Sequence, residues 1–278
     1  MQRPESTVLD SWPRVLAATF LRDMWTATSY RIGFLLSIGG SLVSILSVFF
    51  LGRAFGSTLA GAMEPYGGSY FGFAVVGVAF SNLMALGLSG ISSTIREGQM
   101  MGTLELMLLS PNRLGVLLVG ASLWNHAMAT VTLLVYLLVG LALGMDMGNA
   151  NLPMTALALI LSVIAFNGLG LLAASVVIVI KQGNPVSLLV GMASVLLAGV
   201  FYPVSVLPGW LQAIGQLLPL THALELVRRS ALGGEGIETL WGPLLALVGL
   251  SVVLLPAGLW ACHRAVKFAQ TDGSLSQY

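Results

Sequence analysis

The chain has 278 residues, of which 56% are hydrophobic and only 8% are Asp, Glu, Lys or Arg, roughly a third of the charge of a typical soluble domain. With a mean hydropathy of +0.91, there is too little polar surface to wrap a water-soluble core, and a soluble enzyme is excluded. The formal net charge of +1 argues against a nucleic-acid partner, which calls for a clustered basic face. The single Cys262 and the scattered His126, His222 and His263 provide no disulfide and no metal-ligand spacing.

In chain order, the first thirty residues carry Arg3, Glu5, Asp10, Arg14, Arg22 and Asp23 with no apolar run, so no cleaved signal peptide is expected there. Residues 9–30 read as a helix on the inner membrane surface. Asp10 or Ser11 is its candidate cap, Pro13 is tolerated in the first turn, and Leu9, Trp12, Leu16 and Phe20 form an apolar stripe opposite Asp10, Arg14 and Arg22. Six later stretches reach the roughly 20 apolar residues that a bilayer core demands: about 32–52, 71–95, 114–143, 153–180, 185–206 and 241–262. The fifth is broken near its end by Tyr202-Pro203 and followed by Pro208 and Pro219.

Between the second and third stretches lies a segment whose Thr94 and Glu97 fit a capping box and whose Pro111 stops a helix. Its Met100, Leu104, Met107 and Leu108 share one face. Such a helix can rest on lipid or press into a groove of a soluble partner. The segment from Phe201 to Trp210, continuing through Pro219-Leu220-Thr221-His222 to Arg228-Arg229, is too apolar for a solvated loop and too broken for a span. It reads as a re-entrant pair of short helices with Trp210 at the interface.

Basic residues set the orientation. With the N-terminus inside, Arg3, Arg14, Arg22, Arg31, Arg96, Arg113, Lys181, Arg264 and Lys267 fall on the cytoplasmic side, and Arg53, Arg228 and Arg229 outside. Both termini are then cytoplasmic. The expected fold is an all-α polytopic membrane protein with six transmembrane helices, an N-terminal interfacial helix, a cytoplasmic loop helix and an outer re-entrant segment. Its parts are a cytoplasmic N-terminus 1–31, a transmembrane domain 32–264 containing the loop helix 97–110 and the re-entrant segment 202–232, and a tail 265–278.

Glu97-Gly98, Gly102-Thr103-Leu104-Glu105 and Leu108-Leu109-Ser110-Pro111, followed by Tyr202-Pro203, Leu207-Pro208, Pro219-Leu220-Thr221 and Arg228, make the chain resemble the membrane permease of an ABC-2-type exporter. The resemblance covers about residues 10–265. It implies that two copies, or two related chains, assemble in the cell membrane with separate nucleotide-binding ATPase subunits. ATP and Mg would then be held by the partner, with no cofactor on this chain. In agreement, the sequence lacks a G-x-x-x-x-G-K-[ST] phosphate loop, so the chain is not expected to be an enzyme. By the same resemblance, residues 97–110 form a coupling helix on the ATPase, with Glu97, Gly98, Met100, Gly102, Thr103, Leu104, Glu105, Met107, Leu108, Ser110 and Pro111 as its contact set, and residues 10–30 form the connecting helix. The implied function is outward movement of a substrate.

The few polar residues inside spans are candidates for the substrate path. They are Asn82, Asn125, His126, Asn167 and Gln182, with interhelical hydrogen bonding as the plainer alternative. Phe201, Tyr202 and Val206 are candidates for an outer gate. A nearly uncharged interior favours an amphipathic, lipid-like or drug-like cargo, and a polysaccharide or glycolipid exporter is the alternative. Two rivals come from other classes. Gly87-Leu88-Ser89-Gly90 has the form of a serine-protease turn, but no histidine precedes it as the rhomboid family's chemistry requires. An ion-coupled transporter would usually show intramembrane carboxylates, whereas Glu64 and Asp146 lie in outer loops.

Overall fold

The computed structural model describes residues 12–29, 31–100, 114–180 and 184–271. Among them the chain is entirely helical. The order is α1 (Trp12–Ser29), α2 (Arg31–Met63), a 3-10 turn (Glu64–Tyr66), α3 (Tyr70–Met100), α4 (Leu114–Ala142), α5 (Leu152–Ile180), α6 (Pro185–Leu197), a second 3-10 turn (Val204–Val206), α7 (Gly209–Gly215), α8 (Pro219–Ala231) and α9 (Trp241–Thr271). α9 runs without interruption past residue 264.

Four of these helices, α3, α4, α5 and α9, are long and apolar enough to cross a bilayer. These four are among the six expected spans. The described apolar stretch of α2 is Ile38–Ala54, within a helix of 33 residues. The fifth stretch is the clear departure, because α6 has only 13 residues and at 1.5 Å per residue reaches about 20 Å, short of a hydrocarbon core of about 30 Å. Its start is well specified: the Asn184 side chain accepts from the Ser187 N–H with Pro185 in the first turn. Its end is equally local, since Gly199 adopts φ +79°, a left-handed conformation that stops a helix at little steric cost to glycine.

α3 and α5 form the centre of the bundle. In the most apolar window of each, 72% and 56% of residues are buried, against 22% for both α4 and α9, so the latter two present most of their apolar surface outward. α5 packs along α9, α3 and α8, and small residues let the backbones meet. A Cβ on Gly168 would lie 2.6 Å from the Leu254 carbonyl carbon, one on Gly258 would lie 2.6 Å from the Gly168 oxygen, and one on Gly170 would run into the Gly87 carbonyl. Hydroxyls tie the same helices together: Ser251 Oγ donates to Leu161 O at 3.1 Å, and Thr155 and Ser230 pair at 2.9 Å.

α1 lies against the first half of α4, with Phe20 edge-on to Trp124 at 5.7 Å and Thr19 closely packed on Gly120. The expected apolar stripe is present, but its described members Leu16 and Phe20 are half-buried. The apolar residues α1 leaves exposed are Leu21 and Trp25, on the same outward side as Arg14 and Arg22. The ends of the bundle are thereby distinguished. One end carries α1, Met100 and the start of α6; the far end carries both 3-10 turns, α7 and α8.

Gly170→Val should therefore destabilise the bundle by about 1–3 kcal/mol through overpacking, seen as a lower thermal midpoint in detergent. Gly191→Ala, where an added Cβ meets nothing within 4 Å, should leave the midpoint unchanged.

Candidate functional site

The break after α6 is held by a buried arginine. Arg228, 3% exposed, sits in the last turn of α8 and donates from Nε to Phe73 O at 3.1 Å, from Nη1 to Gly199 O at 2.7 Å and from Nη2 to Val200 O at 2.8 Å. Its guanidinium carbon also stacks 3.4 Å from the Phe73 ring centroid, a cation–π contact. Gly199 and Val200 lie just beyond the C-terminus of α6, whose partial negative charge suits a cation. Room for the guanidinium is made by Gly77, since a Cβ there would lie 2.5 Å from Nη2. One side chain thus joins α3, the broken end of α6 and α8.

The rest of α8 is built for the same place. Leu220, Ala223, Leu224, Val227 and Ala231 are buried at i, i+3, i+4 spacing, and Pro219 fixes the first turn. On its other side, Glu225 Oε2 accepts from Tyr66 Oη at 2.8 Å. Arg229 grips Glu235 through two bonds of 2.8 and 2.6 Å and reaches Glu225 at 3.4 Å. Burial first, and then the Glu225 carboxylate, push the Tyr66 phenol above its ordinary range, so it stays a donor. The hydrogen bond from Arg229 is the chief reason the Glu235 carboxyl lies below its ordinary value.

Between the α6 break, α7, α8 and the start of α9 lies a cleft of about 530 Å³. Its polar lining includes Tyr66, Gln212, Gln216, His222, Glu225 and Arg228, and its apolar lining includes Pro203, Val204, Leu224 and Pro243. Several wall groups are fixed by the backbone. Gln212 Nε2 donates to Leu207 O at 2.8 Å and Ser205 O at 3.4 Å, Thr221 Oγ1 to Gly215 O at 2.6 Å, and His222 Nε2 to Gln216 O at 2.8 Å.

The intramembrane polar residues pair among themselves. Asn167 Nδ2 donates to His126 Nε2 at 2.7 Å while His126 Nδ1 donates to Ser122 O at 2.7 Å, an arrangement that fits the neutral ring. Asn125 lies beside this pair, lining with it a void of about 10 Å³, room for about one water. Asn82 Nδ2 donates to Tyr136 Oη at 3.2 Å. Gln182 lies outside the described residues. The serine-protease turn is absent: Ser89 lies inside α3 and donates to Ala85 O at 2.7 Å.

The coupling set divides at residue 100. Glu97, Gly98 and Met100 form the last turn of α3, which runs unbroken from Tyr70. The expected capping box at Thr94 is therefore not formed, and Thr94 Oγ1 instead donates to Gly90 O. Gly102, Thr103, Leu104, Glu105, Met107, Leu108, Ser110 and Pro111 lie outside the described residues. Of the gate candidates, Phe201 and Val206 are exposed, and Tyr202 turns back to donate to Leu196 O. The cleft is lined by their neighbours Pro203, Val204 and Ser205. Tyr66, Gln212, Gln216 and Glu225 were not foreseen. The legible signal for Arg228 was its position four residues after Leu224 on the apolar face of an amphipathic helix.

The described helices form a bundle of the membrane type, in which a buried arginine closes the break after α6. The sequence model of the ABC-2 type transporter family matches residues 16–232, and the chain belongs to that family. Nodulation protein J of Sinorhizobium fredii (strain NBRC 101917 / NGR234) is 30% identical over 207 residues, covering 72% of this chain and 76% of the relative. The protein is thus a membrane-embedded permease subunit of an ABC transporter, distinct from the ATPase subunit.

Arg228→Leu should leave the Gly199 and Val200 carbonyls unpaired at about 1–3 kcal/mol each, giving a large loss of monodisperse protein in size exclusion. Gly77→Ala, which crowds the guanidinium from the opposite side, should reproduce part of that loss. For Glu235, a carboxyl whose folded value is lowered contributes stability that is present above its ordinary value of 4.5 and lost as pH falls through the lowered one. The difference in thermal midpoint between wild type and Glu235→Gln should accordingly be constant near neutrality and shrink below about pH 4.5.

Proposed function

We propose that the protein is the permease of an ABC exporter, moving an amphipathic, lipid-like or drug-like substrate outward on ATP hydrolysed by a separate nucleotide-binding subunit. It works as a pair of permeases, identical or related, in the cell membrane with both termini cytoplasmic. The family match across residues 16–232, which spans both the 97–111 segment and the α6–α8 region, carries this reading.

Two structural features support it. Arg96, Glu97 and Met100 are exposed at the α1 end of α3, where a soluble subunit can meet them and the following residues 101–111. α3 is also one helix of 31 residues, about 45 Å long, and its other end carries the Phe73 carbonyl that Arg228 holds. A shift imposed at Met100 by closure of the ATPase dimer moves the whole rod and so reaches the α6 break. This is a two-state element biased by nucleotide at a distance.

Purification of tagged protein from native membranes tests the partnership. An ATPase subunit should accompany wild type and be lost with a Glu105→Arg, Leu108→Asp double variant. Recovery of no ATPase with either protein, in mild detergent and in nanodiscs, would overturn the exporter reading.

A further inference from the structure

We propose that the last turns of α9 bind the headgroup of an anionic phospholipid through Arg264 and Lys267. The site goes beyond the exporter reading and stands whichever cargo the permease moves. At this end α9 has a covered side and an open one. Cys262, Ala265 and Ala269 pack on Ile91 and Ile95 of α3 and on Leu171, Ala174 and Ile178 of α5. Trp260, Arg264, Lys267 and Phe268 share the opposite face at helical spacing, and all four are exposed.

The two tryptophans of α9 set its depth in the bilayer. Trp241 and Trp260 are both exposed, and between them the helix rises about 28 Å, matching a hydrocarbon core of about 30 Å. Indoles favour the two edges of that core, so Arg264 and Lys267 fall in the headgroup layer on the Met100 side. Helical side chains lean back toward the N-terminus, and the Arg264 guanidinium carbon accordingly lies 5.4 Å from the Trp260 ring centroid. That is the pose of a cation held at the edge of the apolar layer, and a cation there needs an anion. α9 contains no Asp or Glu, and among the described residues neither Arg264 nor Lys267 forms an ion pair. On the neighbouring end of α3, exposed Arg96 and Glu97 offset each other. Asp272, which follows α9 outside the described residues, still leaves the cations in excess. The other end of α9 is opposite in sign, with exposed Glu238 just before Trp241. The anion abundant at the depth of Arg264 is lipid phosphate, and two adjacent cations favour a lipid whose headgroup carries net negative charge.

The test places the full chain in phosphatidylcholine nanodiscs and reads Trp260 alone, as the fluorescence difference between wild type and Trp260→Phe. Brominated phosphatidylglycerol or brominated phosphatidylcholine, each of which quenches an indole it touches, is added at equal mole fraction. Each Lys or Arg at an anionic surface is worth about a fivefold preference. Around Trp260, wild type should therefore favour the glycerol lipid by about 25-fold, and Arg264→Gln or Lys267→Gln by about fivefold. The double variant should show parity. Trp241, read through Trp241→Phe, should show no preference in any of these proteins. Unchanged elution and melting establish that the variants fold, and the contrast between Trp260 and Trp241 needs no charge variant. Parity at Trp260 in wild type, or a preference that survives the double variant, overturns the proposal. Displacement of the brominated lipid by inorganic phosphate at matched ionic strength assigns the cations to a free anion and overturns it too. Absence of quenching at Trp260 by either lipid places this face against protein, with the same consequence. None of these results bears on the exporter reading, which co-purification of the ATPase tests on its own.

Discussion

A guanidinium with almost no access to solvent must find its hydrogen bonds inside the protein, and Arg228 finds them on three backbone carbonyls. That constraint organises the far end of the bundle. Burying a charge without partners is prohibitive, so α8 packs only where those carbonyls are in place. The carbonyls of Gly199 and Val200 belong to the irregular backbone just past the end of α6 and have no helical N–H to pair with. Each side satisfies the other's unmet requirement. A broken helix at membrane depth is tolerable only when its freed backbone groups are paired within protein, and here one planar side chain pairs two of them while stacking on Phe73. Lysine, with a compact ammonium and no fork, offers no equivalent geometry.

The same economy of space runs through the centre. α5 meets α9 at Gly168 and Gly258 and meets α3 at Gly170 and Gly87, so three helix backbones approach without intervening side chains. Polar residues inside the membrane join this packing: His126 with Asn167 and Asn82 with Tyr136 bridge α4 to its neighbours. Both nitrogens of His126 are engaged beside a void of about 10 Å³, and the cluster ties α4 to α5. A cleft of about 530 Å³ lies at the far end, where the helices are shortest.

Much of this was legible in the sequence, and the failures have physical causes. Long apolar stretches announced α3, α4, α5 and α9, because hydrophobic length is dictated by the bilayer. Gly168 and Gly170 in the 153–180 stretch are small residues of the kind that lets membrane helices pack closely. The fifth stretch misled because hydropathy averages over a window and does not register one residue in a left-handed conformation; Gly199, four residues before Pro203, was the available sign. Thr94 and Glu97 matched a capping box, yet the preceding residues propagate α3 straight through them, and a threonine inside a helix satisfies itself on the carbonyl four residues back. The cleft was not legible at all. Tyr66 and Glu225 are 159 residues apart, and nothing local to either reveals the pairing.

The chemistry of the cleft follows from the way the break is closed. Arg228 gives one N–H from each nitrogen to backbone carbonyls, and the Glu225 carboxylate nearby is restrained by Tyr66 and Arg229. Thr221, His222 and Gln212 repeat the pattern, each donating to the backbone of the irregular segment that α7 and the 3-10 turn leave exposed. Irregular backbone supplies many carbonyls, so the side chains that stabilise it are donors. The irregular segment sealed in this way borders the cleft, and the α3 rod that runs from Tyr70 to Met100 presents its Phe73 carbonyl to the same arginine.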